Sequence, residues 1–371
     1  MMMLQKQQMR ARASAPSSSS RRPLLAPRAP RAAPDTAASA AAPTQAAANA
    51  GELWEELRLS VEAYGKAPPS QKLAYSSDVL DALKALKAAG EAPAWGSVFG
   101  SDGGDGAEAE EASGERQMYT RRSVMPGELR QAGIKQPDAI ARPSVRNDAA
   151  FLATVVGVSS VLAVALGQLP GQWGFWGAYG SGGIAIVVLA IGSTAPGLLQ
   201  AIIDKFSQVF PDYRQRVVDH EAAHVLIAHL AGVPVVSYSL AIGQEHSAFA
   251  EARLGRRLIE GKLSAADIDA LAPVAVAGVA AEGQRYEEVM GQTADLFDLQ
   301  RILLRSEDRL TDAQQQSVTR WAVWCAATAL RRHKRAYDAV RQAMVDGLPA
   351  DAVVRAIERA EAEDRAEAAR R

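Results

Sequence analysis

Residues 220–224 read HEAAH, with two histidines four positions apart and a glutamate beside the first. Residues i and i+4 share one face of an α-helix, so His220 and His224 can direct ring nitrogens at one metal ion. Glu221 projects to the side, where a carboxylate can take a proton from a metal-bound water. The pattern is typical of zinc peptidases, in which zinc activates the water that attacks the peptide carbonyl. The alternative interpretation is a helix with one buried and one exposed histidine.

A catalytic zinc needs a third protein ligand, and the nearby sequence does not offer a further histidine in register. The metzincin pattern H-E-x-x-H-x-x-G-x-x-H fails because Ile227 and Leu230 stand at its glycine and its third histidine. His229 is out of register and is expected to be an ordinary helix residue, and His246 and His333 have no ligand spacing. The third ligand is therefore expected to be a carboxylate from elsewhere.

The segment 277–302, AGVAAEGQRYEEVMGQTADLFDLQRI, resembles the second signature of the FtsH-type membrane-anchored zinc proteases. In that family a helix ending in a G-R-A-A-E-E-like string precedes G-A-x-N-D-L and a long helix. Residues 278–282 match the first string and residues 291–295 match the second. The resemblance implies a mainly α fold, in which a two-helix transmembrane hairpin is followed by an all-α zinc-peptidase domain over 210–345 with a small β element.

The resemblance also implies the roles of individual residues. His220, His224 and Asp295 would be the ligands of Zn²⁺, and Glu221 would be the general base. Asp298 competes with Asp295 because the two are three positions apart on one helix. Both aspartates could instead be acids favoured by the dipole at the start of that helix.

Glu282 is a candidate for orienting a ligating histidine, with a helix-surface glutamate as the alternative. The chain departs from the family at three positions, where Ala223 replaces a glycine, Val279 an arginine and Gly283 a glutamate. A methyl group at Ala223 is expected to crowd the packing on its face of the helix without touching the ligands.

No nucleotide-binding loop accompanies the peptidase pattern. FtsH-type proteases carry an ATPase module between anchor and peptidase, but G-x-x-x-x-G-K-[ST] occurs nowhere in this chain. The connection between the apolar stretch and HEAAH is far too short for such a module. The chain is therefore similar to the FtsH-like plastid proteins of plants and algae that lack the ATPase module.

Residues 149–203 contain no charged side chain. One helix crosses a bilayer in about 20 residues, so this length predicts two transmembrane helices, at 149–169 and 178–203. Basic residues lie outside both ends of the stretch and not in its connecting loop, so both flanks are expected on the same side of the membrane. Aromatic residues at the break suit the far membrane interface: Trp173, Phe175, Trp176 and Tyr179.

The alternative for this apolar stretch is a pair of buried core helices in a soluble protein. If the two helices do form a membrane hairpin, small residues are expected to let them approach each other closely. The candidates are Gly182, Gly183 and Gly192.

The first fifty residues are typical of an organelle-targeting segment. They are rich in Ala, Ser, Pro and Arg, contain Asp35 as their only acid, and lack the apolar run of a secretory signal. We therefore predict a chloroplast transit peptide over 1–50, with a mitochondrial address or a plain disordered tail as alternatives. The destination would be a thylakoid or inner-envelope membrane, with the catalytic domain facing the stroma.

The other segments are expected to flank the site without contributing chemistry. Residues 51–98 carry apolar positions at helical spacing and predict a small helical module. A Gly-rich acidic run predicts a disordered linker over 99–117, and a basic juxtamembrane segment follows over 118–148. Residues 346–371 predict a charged C-terminal helix with little to bury.

The overall composition excludes two classes of site. The formal net charge is -1, and Cys325 is the single cysteine of the chain. An internal disulfide framework and a thiolate zinc cluster are therefore both excluded.

Together these observations predict a membrane-anchored, ATP-independent zinc metalloendopeptidase that acts on unfolded or membrane-associated proteins in the plastid. Its partners would be protein or peptide substrates, the membrane, and further copies of itself or FtsH-type proteases, with no nucleic acid and no ATP. One alternative is a non-proteolytic membrane-bound scaffold or adaptor that keeps the peptidase fold.

A second alternative is an intramembrane, site-2-type protease, whose second motif VDGLP at 345–349 resembles. Charged residues immediately before HEAAH argue against bilayer depth: Arg214, Arg216 and Asp219. The VDGLP segment reads better as a helix end with Gly347 as its cap.

Overall fold

The chain folds mainly into α-helices, as the sequence predicts. The computed structural model describes residues 43–68, 71–99, 117–138, 140, 146–207, 210–240, 248–249, 263–290 and 292–371. Most of the predicted acidic linker, residues 100–116, and most of the predicted transit peptide lie outside these residues, as does His246. The elements are α1 (Pro43–Lys66), α2 (Lys72–Ala88), α3 (Pro126–Gln131), α4 (Arg146–Gly167), α5 (Gln172–Thr194), α6 (Pro196–Ser207), α7 (Tyr213–Leu230), β1 (Val235–Ser237), β2 (Ala248–Phe249), α8 (Ala265–Ala275), α9 (Ala277–Arg285), α10 (Gln292–Leu303), α11 (Asp312–Arg332), α12 (Lys334–Val345) and α13 (Ala350–Arg370).

Several helix ends follow directly from local sequence chemistry. The Ser264 side chain accepts a hydrogen bond from the backbone N–H of Asp267 at 3.2 Å, and the Asp267 carboxylate accepts one from the Ser264 backbone at 2.9 Å. This reciprocal cap starts α8. Gly232 and Gly347 adopt positive φ angles of 77° and 70° just after α7 and α12. The VDGLP segment is therefore a helix end, as expected from its glycine.

The two apolar helices α4 and α5 form a hairpin that is exposed along most of its length. Each contains a stretch long and apolar enough to cross a membrane, at 148–167 and 172–194, of which only 11% is buried in each case. Core helices of a soluble protein are mostly covered by other elements, and the low burial of these two argues against the soluble-core interpretation. Exposed large apolar side chains on both helices include Val161, Val164, Trp173, Ile186 and Leu189.

The second apolar helix differs from its predicted bounds of 178–203. It begins at Gln172, so the aromatic residues lie in its first turns and not in a loop. It ends before Ala195, whose φ and ψ of −140° and 66° are not helical. Pro196 explains this break, because a proline disfavours the helical conformation of the residue before it and offers no N–H to the previous turn.

The prediction that Gly182 and Gly183 bring the two apolar helices together is wrong. A Cβ at either position would meet nothing within 4 Å, whereas one on Gly177 would lie 2.9 Å from the Leu166 Cβ of α4. Gly192 instead faces Leu199 of α6, at 2.7 Å. The composition of α5 shows that it carries small residues but not which of its faces meets α4, because glycines occur all round the helix.

The main core does not follow the predicted domain boundaries. It surrounds α7 and includes side chains from both sides of the apolar hairpin. Val98 donates a backbone hydrogen bond to the Leu230 carbonyl at 3.1 Å, and Lys135 donates one to the Gly283 carbonyl at 2.9 Å. Buried residues from the segment before the hairpin include Phe99, Tyr119, Val124, Leu129 and Ile134. Residues 118–138 are therefore part of the domain that 210–345 was predicted to form alone.

A smaller core joins α1 and α2 to the C-terminal helix α13. Trp54 and Leu83 belong to this cluster together with Val236 of β1 and Val354 of α13. The 51–98 module is helical as predicted, but it is docked on the second half of the chain. The prediction that 346–371 has little to bury is wrong, because α13 buries an apolar stripe at helical spacing: Val353, Val354, Ile357 and Ala360.

Candidate metal centre

The HEAAH residues lie on α7, which passes through the middle of the main core. Every residue from Glu221 to Leu230 is buried. This part of the helix is therefore packed on all sides, whereas the charged first turns suggest an amphipathic surface helix. Among the described residues, α7 is not one of the two helices that are long and apolar enough to cross a membrane.

Three side chains converge on one point beside α7. The Nε2 atoms of His220 and His224 lie 3.1 Å apart, and each is 3.3 Å from Oδ1 of Asp295 at the start of α10. Two ligand atoms about 2.0–2.1 Å from a tetrahedral zinc ion lie about 3.3–3.4 Å apart, which is close to all three edges of this triangle. The three residues could therefore hold a metal ion.

The other nitrogen of each imidazole is already committed to a partner. The Nδ1 of His224 donates to the Val274 carbonyl at 2.8 Å, and the Nδ1 of His220 lies 2.8 Å from Oε1 of Glu282. A carbonyl and a carboxylate only accept, so both Nδ1 atoms carry the proton. Both Nε2 atoms therefore face each other and Asp295 and can bind a metal when they are deprotonated, and the two outer contacts fix the orientations of the rings.

The charges of His220, His224 and Asp295 favour a positive charge at the point where the three side chains meet. Two lone pairs and one carboxylate oxygen face each other, and each repels the others unless a proton or a cation lies between them. Burial alone lowers the pKa of His220, but the charges of Asp295 and Glu282 outweigh it, and the pKa is raised well above its ordinary value. Burial raises the pKa of Asp295, but the two histidines outweigh it and hold this pKa far below the ordinary range.

Helix α9 positions both kinds of ligand, although it contributes none itself. Oδ2 of Asp295 accepts a hydrogen bond from the Val279 backbone N–H at 3.2 Å. This N–H belongs to the first turn of α9 and has no partner within the helix, so Asp295 also caps α9. A Cβ on Gly278, one residue earlier, would overlap the ring of His220. Glycine is therefore the residue that leaves room for this histidine.

Of the three remaining predicted site residues, two are buried and one is exposed. Glu221 is on α7 between the two histidines and is 1% exposed. Glu282 contacts His220 as expected for a residue that orients a ligand. Asp298 is not brought to the centre, because its side chain is 58% exposed and pairs with Arg301 at 2.9 Å. Of the two aspartates, Asp295 is the one that lies beside the two histidines.

The other described histidines bond to carboxylates of α13. His229 is fully buried, with Nε2 2.6 Å from Oε1 of Glu358, which also accepts hydrogen bonds from the backbone N–H groups of Ala94 and Trp95. His333 lies 2.8 Å from Glu361. His229 is therefore not an ordinary helix residue but a buried link between α7, α13 and the chain before the hairpin.

Sequence reasoning missed a buried carboxylate directly before the first histidine. Asp219 is completely buried, and its oxygens accept hydrogen bonds from Arg285 at 3.0 Å, from Tyr286 at 2.8 Å and from Arg341. Burial and the bond to Asp219 raise the pKa of Tyr286 to about 12, so the phenol stays protonated and donates. The only sequence signal for this cluster was Asp219, because an aspartate that is buried needs cationic or hydroxyl partners.

In comparisons with known proteins, no family model, no curated protein and no solved structure matches the chain.

Proposed function

We propose that the chain is a membrane-anchored, ATP-independent zinc metalloendopeptidase. The observation that carries the proposal is the convergence of two imidazole Nε2 atoms and one carboxylate oxygen, with both Nδ1 atoms committed elsewhere. Two nitrogen ligands and one oxygen ligand suit Zn²⁺, whereas Mg²⁺ and Ca²⁺ prefer oxygen ligands alone. A bound zinc ion would supply a Lewis acid and an activated water.

The order of the parts along the chain supports an FtsH-type peptidase. A helix with H-E-x-x-H is followed by the small-residue helix α9 and then by an aspartate in the first turn of α10, as the resemblance of 277–302 implies. His220, His224 and Asp295 would hold the ion. Glu221 would take the proton from the water and pass it to the leaving amine.

The position of the site next to the hairpin supports membrane-associated substrates. His220 is seven residues after Tyr213, so it is about 10 Å along α7 from the start of that helix, which follows α6 after a short connection. The segments before and after the hairpin share one core, which favours both on the same side of any membrane that the hairpin crosses. The proposed substrates are unfolded or loosely folded segments close to the membrane surface.

The cellular setting is proposed on the composition of the first fifty residues. A chloroplast transit peptide would direct the chain to a thylakoid or inner-envelope membrane, with the peptidase domain in the stroma. Assembly with further copies or with FtsH-type proteases would provide what this chain lacks, since its sequence contains no nucleotide-binding loop for unfolding a substrate.

One observation favours a second candidate function, a membrane-bound adaptor with a structural metal. The ligands are closely covered, with side chains of His220 and His224 exposed by 12% and 11% and that of Asp295 by 7%. A structural zinc site is normally closed, whereas a catalytic site keeps one position open to water and substrate. A substrate would therefore have to displace part of this cover.

The full-length protein in detergent provides the test between the two candidates. We expect about one zinc ion per chain and chelator-sensitive cleavage of an unfolded protein such as casein, unaffected by added ATP. Glu221→Gln should keep the zinc and lower cleavage by at least about 100-fold, because the amide cannot take the proton. Zinc binding without any chelator-sensitive cleavage would leave the adaptor as the function, and no zinc binding would reject both.

A further inference from the structure

Arg216 is one helical turn before His220 on α7 and makes four contacts around the back of the metal centre. Its Nε donates to Asp212 at 2.9 Å, and its Nη1 donates to the Glu288 carbonyl at 3.0 Å. The guanidinium lies 3.8 Å from the centroid of the Tyr286 ring. Its Nη1 is also 4.0 Å from Oε2 of Glu282. The side chain is largely buried, so these contacts are shielded from water.

Glu282 connects this arginine to the first ligand. One carboxylate oxygen contacts Nδ1 of His220 at 2.8 Å, and the other accepts a hydrogen bond from the Met290 backbone N–H at 2.8 Å. Arg216 is the cation facing the second oxygen. The carboxylate is thus fixed on both sides, and its orientation determines the orientation of the His220 ring.

The same contacts hold residues 286–290, which lie between α9 and α10. Arg216 contacts Tyr286 and Glu288, and Glu282 contacts Met290, so both ends and the middle of residues 286–290 are tied to α7 and α9. Helix α10 begins at Gln292 and brings Asp295 to the centre in its first turn. We name Arg216, Glu282 and residues 286–290 the α9–α10 latch.

We propose that Arg216 is a positioning residue that sets two metal ligands at once. It orients His220 through Glu282, and it places Asp295 through residues 286–290. This inference rests on the metal-binding part of the proposed function and not on peptidase activity. No member of the latch is itself a ligand, and the latch acts only by fixing the distances between Nε2 of His220 and Oδ1 of Asp295.

The test measures zinc affinity of the full-length protein in detergent by competition with a chromophoric chelator. Loss of a residue that orients a ligand typically weakens metal binding by about 10–100-fold, and we expect this for Arg216→Ala. Arg121→Ala is the matched control, because Arg121 also pairs with an aspartate, Asp269, and lies over an aromatic ring, that of Trp321, but has no contact with the latch. The control should lower the melting temperature and leave zinc affinity within about threefold, since sites with no shared partners act independently.

A double-mutant cycle separates positioning from general stabilisation. Glu282→Gln keeps an oxygen that can accept from His220 but cannot hold the Met290 N–H and Arg216 as the carboxylate does. If Arg216 acts through the latch, Arg216→Ala in the Glu282→Gln background should cost much less than in the wild type. The visible spectrum of the cobalt-substituted protein should change in either single variant, because it reports the arrangement of the ligands.

Three results would overturn the proposal. Zinc affinity of Arg216→Ala within about threefold of wild type would show that the latch does not set the ligands. Full additivity in the cycle would show that Arg216 does not act through Glu282. Should Arg216→Ala not fold, Arg216→Lys replaces it, since it keeps the charge but not the planar fork and ring contact, and an unchanged affinity and cobalt spectrum would again reject the proposal. A wild type without zinc would instead contradict the proposed function.

Discussion

Gly278 offers the sharpest test of the metal centre that does not touch a ligand. A Cβ at this position would overlap Cε1, Nε2 and Nδ1 of the His220 imidazole, so Gly278→Ala forces the ring or α9 to move. The ring is held by Glu282 at 2.8 Å, and moving it by about 1 Å takes that contact beyond hydrogen-bond range. The same movement separates Nε2 of His220 from the other two ligand atoms.

The magnitude follows from two opposing terms. Replacing a helical glycine by alanine favours folding by about 0.5–1 kcal/mol, because the unfolded chain loses freedom. Overpacking a buried site costs about 1–3 kcal/mol. We therefore expect the variant to be less stable by about 0–2.5 kcal/mol, and we expect zinc affinity to fall by at least about tenfold, the lower end of the effect of misplacing a ligand.

Gly283→Ala is the matched control on the same helix. A Cβ there would first meet the flexible end of Ile134 at 3.3 Å, and no ligand is within the contacts of that position. Thermal unfolding and chelator competition on full-length protein in detergent would measure stability and affinity for both variants. The control should bind zinc as the wild type does. Wild-type zinc affinity in Gly278→Ala would refute the assigned geometry of His220, because the ring could not then be where the structure places it.

Four further predictions follow from the site and the fold. Asp295→Ala should weaken zinc binding strongly and Asp298→Ala should not, as measured by equilibrium dialysis. The reverse result would assign the third ligand to Asp298. In the zinc-free protein the raised pKa of His220 contributes stability that is complete below pH 6.5, its unfolded value, and lost as pH rises through the folded value. Zinc affinity should rise over the same pH interval, because His220 must be deprotonated to bind the metal. Thermal unfolding of the zinc-free protein and zinc titrations at several pH values should therefore change in opposite directions. In sealed vesicles an added protease should reach the segments 43–138 and 205–371 together, and protection of one alone would contradict the shared core. The fragment 205–371 expressed alone should lack cooperative thermal unfolding, since part of its core comes from before the hairpin, and a sharp transition would contradict this.

The convergence of His220, His224 and Asp295 was predictable from two different kinds of sequence signal. Spacing places His220 and His224 on one helix face, and the resemblance of 277–302 pointed to Asp295. The groups that orient these ligands were harder to predict. Glu282 was one of several acids, and Val274 contributes only a backbone carbonyl, which every residue possesses. Nothing in a residue's type indicates that its carbonyl will meet a histidine fifty residues away.

The predicted domain boundaries were wrong for a related reason. Periodicity identifies which residues of a helix are apolar, but it does not identify their partner. The apolar stripe of α13 and the buried residues of 118–138 were both visible as scattered hydrophobic positions. Because the hairpin lies between them, the segments before and after it were predicted to be separate domains. Packing joins the two sides, because buried residues from before the hairpin, such as Leu129 and Ile134, belong to the same core as α7.

Helix α9 explains why its sequence and HEAAH belong together. Gly278 leaves room for the ring of His220, the Val279 N–H holds one oxygen of Asp295, and Glu282 contacts the far nitrogen of His220. One helix of nine residues thus sets the positions of two ligands from two other helices. The contact at Val279 uses the backbone N–H and therefore does not depend on the side chain at this position. Glycine at 278 and glutamate at 282 act through their side-chain size and charge, so substitutions there should be felt at the metal.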